Sequence, residues 1–169
     1  MDKSFKLKVK TDEKSLTKTD GKFTIQPLDR GYGITLGNAM RRVLMTAIPG
    51  AAITHVKIEG VEHEFSSLKG VKDDVADIIM NLKQVRFMLM DNNPDKINLK
   101  FKSKSIVTAK DIQNASDQFK ILNPKQYITE VNSAGNLEME IRIGIGKGYV
   151  PSEENELPNL PLGTMSIDS

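Results

Sequence analysis

Several short patterns in the chain place chemically capable residues at spacings that chemistry could use. Gly31, Gly33 and Gly37 follow a strand-like run and precede a helical one, which suggests a turn cradling a dinucleotide phosphate. The spacing is one residue too long, however, and no acidic residue stands at the end of a second parallel strand to hold a ribose. The GIGKG run at 144–148 fails as a phosphate loop because Gly148, not Ser or Thr, follows Lys147. Both glycine clusters therefore read as tight turns. His63-Glu64 begins like a zinc-protease helix, yet Ser67 occupies the place of the second ligand. Asp73, Asp74 and Asp77 form a D-D-x-x-D pattern that can hold magnesium on one helical face. No second acidic cluster faces them, and acids in a first helical turn are favoured anyway by the positive helix end. With His55 and His63 the only histidines and no cysteine, no nucleophile has a positioned base. No catalytic residue, metal or cofactor is expected.

The elements that would position these residues are legible from their periods. Leu36, Met40, Val43, Leu44, Ala47 and Ile48 share a stripe that predicts a helix over 35–48, with Thr35 as its cap and Pro49-Gly50 as its stop. Asn38, Arg42 and Met45 fall opposite that stripe and Arg41 at its edge. They are either solvated surface groups or, since an adaptable Met beside a planar cation suits a protein interface, a docking face. Val71, Val75, Ile78, Ile79, Leu82 and Val85 predict a second helix from about Lys72 to Val85.

Phe5, Leu7 and Val9 alternate with lysines ahead of an Asp20-Gly21 turn, predicting an amino-terminal hairpin. Strands are predicted over AAITHVKIEG, at 86–90, at 96–102 and from Leu137. DNNPD links the middle pair, and the last strand alternates Leu137, Met139, Ile141, Ile143 and Ile145 with charged residues. The stretch 103–131 is less regular, with a turn at Asn123-Pro124, and GKGYVPSEENELPNLPLG reads as loop. Because strands and helices do not alternate regularly, the class is α+β.

Composition narrows the partners. A formal charge of +2, from 24 basic and 22 acidic residues, argues against broad nucleic-acid binding. Lys96, Lys100, Lys102, Lys104 and Lys110 cluster, but alternation with Ile97, Leu99 and Phe101 makes most of them the wet face of a half-buried strand. No apolar run approaches the roughly 20 residues that span a bilayer, and MDKSFKLKVK lacks a signal-peptide core. A cytoplasmic protein without membrane contact is expected.

The run FTIQPLDRGYGITLGNAMRRVLMTAIPG, continuing through ITHVKIEGVEHEFSSLKGVKDDVADIIMNLKQVRF, resembles the amino-terminal part of the alpha subunit of bacterial DNA-dependent RNA polymerase. The resemblance runs without a gap from about Phe23 to Phe87 and resumes around GKGYVPSEEN. It implies a dimeric platform on which the beta and beta-prime subunits assemble. The chain would then be a noncatalytic subunit of a nucleotidyltransferase whose catalytic magnesium lies in those large subunits.

On this resemblance residues 1–49 are the first part of a discontinuous dimerisation domain, 50–164 an inserted, mainly β domain, and 165–169 the start of a return to the first domain. Arg42 matches a residue that holds the beta subunit and Met45 its apolar neighbour, with Arg41 and Asn38 beside them. Lys83 and the neighbourhood of Ile167 match positions linked with beta-prime binding. His63, Glu64 and Phe65, with GVKDDV at 70–75, match the part of the inserted domain that meets the large subunits, although His63 could equally bond a backbone carbonyl. Family members continue past SIDS into a segment that completes the dimerisation domain, so the stripe on the first helix is expected to lack an intramolecular partner. DNA contact, which belongs to a further carboxy-terminal domain, is not expected. A free-standing module contacting other proteins or RNA is the alternative.

Overall fold

The computed structural model describes residues 6–89, 96–103 and 106–169. Phe5, the DNNPD link and Lys104 lie outside the described residues. The chain divides into two units, Met1–Met45 and Thr46–Ser169.

In the first unit, β1 (Lys8–Thr11) and β2 (Phe23–Gln26) pair antiparallel with Val9 opposite Ile25, the expected hairpin. Its tip is tied by the Thr17 amide donating to the Asp20 carbonyl, three residues before β2. Helix α1 (Tyr32–Thr46) starts directly after Gly31, whose φ of +91° is a backbone conformation that residues with a side chain rarely adopt. It therefore begins before Thr35, which lies inside the helix and caps nothing. Gly33 and Gly37 are likewise helical, so of the three spaced glycines one makes the turn.

The second unit opens on β3 (Pro49–Ile58) and continues through α2 (Val75–Leu82), β4 (Phe87–Leu89), β5 (Lys96–Lys102), β6 (Val107–Thr108), α3 (Ala109–Gln113), β7 (Phe119–Ile121), β8 (Tyr127–Thr129), β9 (Asn136–Lys147) and β10 (Thr164–Ser166). Its main sheet has the order β5-β9-β3-β4-β7, and β10 pairs with β3 off that path. One edge of β3 carries β9 along its whole length; the other is shared by β4 at Ala51 and β10 over His55–Lys57. The stretch 103–131 thus holds α3 and three short strands, and the Asn123 turn closes through the Gln126 amide. In GIGKG, Gly144 and Gly146 extend β9, and the chain turns at Gly148, φ +72°.

Alternation along β9 buries Leu137, Met139, Ile141 and Ile143 against Val56 and Ile58 of β3 and Val75, Ile78 and Leu82 of α2. Each such side chain contributes about 1.5 to 3 kcal/mol by leaving water. Phe87 and Phe119 meet edge to face at 5.3 Å between ring centres in the same core. A bulge between Ile53 and His55 shifts the register of β3 against β9, which allows Ile53 above it and Val56 and Ile58 below it to face one core.

Segment 165–169, expected from the resemblance to begin a return to the first domain, groups with the second unit as the end of β10 and its continuation. The physical reason is Ile167, which is buried and donates its amide to the Thr54 carbonyl at 2.8 Å, at the bulge.

Candidate partner interface

On α1, spacings of four and three residues put Asn38, Arg42 and Met45 on one face, with Arg41 adjoining. All four are exposed, Met45 to 67%. The opposite stripe is also open: Met40, Val43, Leu44 and Ile48 are exposed, and Leu36 is half-buried. Among the described residues of α1 none is buried.

His63, Glu64 and Phe65 stand on a turn after β3, closed by the Ser66 amide donating to the His63 carbonyl at 3.2 Å. The His63 ring shares a hydrogen bond with the Ser66 hydroxyl at 3.3 Å, so its local partner is a side chain and not a backbone carbonyl. The Ser66 carbonyl accepts from the Val75 amide, which ties the turn to the start of α2. Phe65, 82% exposed, is the most prominent apolar group on this turn.

Two of the three aspartates that could have gathered a cation have separate tasks. Asp74 caps α2, its carboxylate accepting from the Asp77 amide at 2.9 Å. Asp73 accepts from the Tyr127 hydroxyl at 2.5 Å and the Thr129 hydroxyl at 2.8 Å. Burial, helped by that bond to Asp73, pushes the Tyr127 phenol up to about 12. Among the described residues no group of three or more His, Cys, Asp or Glu could hold a metal ion. The lysines of β5 are the wet face of the sheet: Lys96 pairs with Glu140 at 2.7 Å and Lys100 with Glu138 at 2.8 Å.

Lys83 ends α2, where a cation offsets the negative end of the helix. Its ammonium donates to Asp168 Oδ2 at 2.5 Å, and the Tyr149 hydroxyl donates to the same oxygen at 3.1 Å. The bond from Lys83 holds the Asp168 carboxyl below its usual range, and the bond to Asp168 pushes Tyr149 up. The structure thus joins Lys83 to the neighbourhood of Ile167. Ile167 itself, 2% exposed, presents no side chain to a partner and acts through packing.

Tyr149, Asn155 and Asp168 escaped the sequence reading. Their signal was weak: an isolated tyrosine in a glycine-rich run, and an acid in a polar tail. Beside β10 lies a groove of about 520 Å³ lined by Glu64, Ile79, Leu157, Leu160, Met165 and Asp168. No described helix is long and apolar enough to cross a membrane.

Residues 56–169 match the family of the RNA polymerase Rpb3/RpoA insert domain. The chain is 44% identical over 162 residues to the DNA-directed RNA polymerase subunit alpha of Chloroherpeton thalassium, covering 96% of this chain and 49% of that protein. It is 46% identical over 164 residues to the subunit of the same name from Alkaliphilus oremlandii, covering 97% and 51%. For that of Symbiobacterium thermophilum the identity is 48% over 149 residues, covering 88% and 47%. The chain spans about half the length of the curated relatives it matches.

Proposed function

From the premise that this chain belongs to the family of bacterial RNA polymerase alpha subunits bearing the Rpb3/RpoA insert domain, we propose that it is a noncatalytic assembly subunit of that polymerase. It acts in the cytoplasm as part of a dimeric platform that brings the beta and beta-prime subunits together, and those subunits carry out nucleotidyl transfer. The first unit supplies the opening part of the dimerisation domain, and the second is the inserted domain.

The observation that carries this reading is the open helix α1. It is a 15-residue amphipathic helix whose Arg42 and Met45 share one exposed face while its apolar stripe is exposed on the other. Arginine offers a planar, multidentate donor and methionine a deformable apolar knob, a pairing suited to the centre of a protein interface. Two exposed faces on one helix fit two neighbours: the beta subunit on the Arg42 side, with Asn38 and Arg41 flanking, and on the apolar side the segment that completes the dimerisation domain in the family. His63, Glu64 and Phe65 form a second contact surface on the inserted unit, and the Lys83 edge a third, toward beta-prime.

Arg42→Ala is expected to weaken capture of the beta subunit by about 1 to 4 kcal/mol in a binding titration, the range of an interface anchor. Affinity equal to that of the unaltered chain overturns the assignment.

A further inference from the structure

The segment Thr164–Ser169 is fastened along its length to three other parts of its unit. Ile167 is buried, its amide on the Thr54 carbonyl and its carbonyl accepting from Asn155 Nδ2 at 2.7 Å. Ser169 and Val150 exchange two backbone bonds, at 2.7 and 2.9 Å. Asn155 is itself held from the core: its carbonyl accepts from the Nε2–H of buried His55 at 2.7 Å, so in the neutral ring Nδ1 accepts from the Thr54 hydroxyl at 2.9 Å. Outermost in this chain of contacts stands Asp168, one of whose oxygens receives both Lys83 and Tyr149.

We propose that Lys83 is a positioning residue: its ion pair with Asp168 latches the Thr164–Ser169 strap onto the end of α2, and the beta-prime subunit reads the latched strap and not the ammonium group. This inference rests on the assembly reading above and changes what Lys83 does within it. The Lys83 side chain is already ordered on Asp168 and is 29% exposed, so most of its surface is covered within its own unit, where it holds the strap. Residue alternation points the same way, since Ile167 faces the core and Asp168 the latch, and loss of either would loosen the same strap.

The test uses the full 169-residue chain with Lys83→Gln, Asp168→Asn and the double variant, in two measurements. Amide hydrogen exchange at Ile167 and Ser169 reports the strap, while the amides of Val56 and Ile141 report the core. Capture on immobilised beta-prime subunit reports the interface. Each single variant is expected to speed exchange at Ile167 and Ser169 roughly threefold to tenfold with the core amides unchanged, as for a half-exposed ion pair bound by charged hydrogen bonds. Capture should fall in parallel, and the double variant should do no more than about twofold worse than either single, since both remove one bond. The latch is overturned if Asp168→Asn leaves strap exchange at the unaltered rate, or if Lys83→Gln lowers capture while Asp168→Asn does not. Failure of the unaltered chain to bind beta-prime counts against the assembly reading, and the exchange data still decide the latch.

Discussion

Helices α1 and α2 carry apolar stripes of the same kind and meet opposite fates. Val75, Ile78 and Leu82 of α2 are fully buried, and α1 buries none of its described residues. The apolar period specifies that a helix forms and which side is greasy; burial requires a companion surface from elsewhere in the chain. α2 has one in β8 and β9, and its amino end is fixed by the Asp74 cap. The stripe of α1 has no such cover among the described residues, and Met40, Val43, Leu44 and Ile48 stay exposed.

That contrast breaks first, if it is wrong, at matched leucines. Leu82→Ala should destabilise the second unit by about 2 to 5 kcal/mol in urea unfolding, because the site is closed on all sides. Leu44→Ala, on exposed α1, should stay within about 0.5 kcal/mol. Equal costs would mean that α1 is packed in solution. Glycines give the next pair. A Cβ on Gly135 would sit 2.2 Å from the Gly70 carbonyl oxygen, so Gly135→Ala should cost about 1 to 3 kcal/mol. Gly37→Ala meets nothing within 4 Å and should strengthen α1 by about 0.5 to 1 kcal/mol, read as helical circular dichroism.

Caps give a smaller difference. Asp74→Ala should lower thermal stability by about 1 kcal/mol, whereas Thr35→Ala, inside α1, should leave it unchanged or slightly higher. The smallest effect is alkaline. Tyr127 is raised from 10.0 to about 12 by folding, so its neutral form is favoured in the native state. Its contribution is full below pH 10 and is lost as pH rises through about 12. Tyr127→Phe should flatten that alkaline limb and remove the latest step in an ultraviolet titration of the three tyrosines.

Strong periods were readable in advance and short segments were not. The alternation of β9 named its buried residues down to Ile143, although Ile145, at the same phase, is exposed where β9 runs on past the core. The stripe of α2 was equally clear, but its predicted start at Lys72 was too early because Asp73 is drawn to Tyr127 and Thr129 and Asp74 makes the cap. Helix α3 has five residues and β6 two, too few to complete a recognisable period. β10 is a half-buried three-residue strand with a single apolar side chain, and it exists because the Thr54 bulge offers a carbonyl to the residue after it. Of the candidate site, Arg42 and Met45 were placed on one face by helical geometry alone, while the tie between Lys83 and Asp168 joins positions 85 residues apart and left no local trace.

The pairing of β3 with β9 also dictates an order of events during synthesis. Pro49 finds its partner in Lys147 and Ile58 in Met139, so the central strand of the sheet emerges long before the strand that covers its whole length. At translation rates of about 5 to 20 residues per second, those intervening residues take roughly 5 to 20 s to appear. Through that interval Ile53, Val56 and Ile58 travel without the neighbour that buries them, and the unit cannot close until its carboxy-terminal third has left the ribosome.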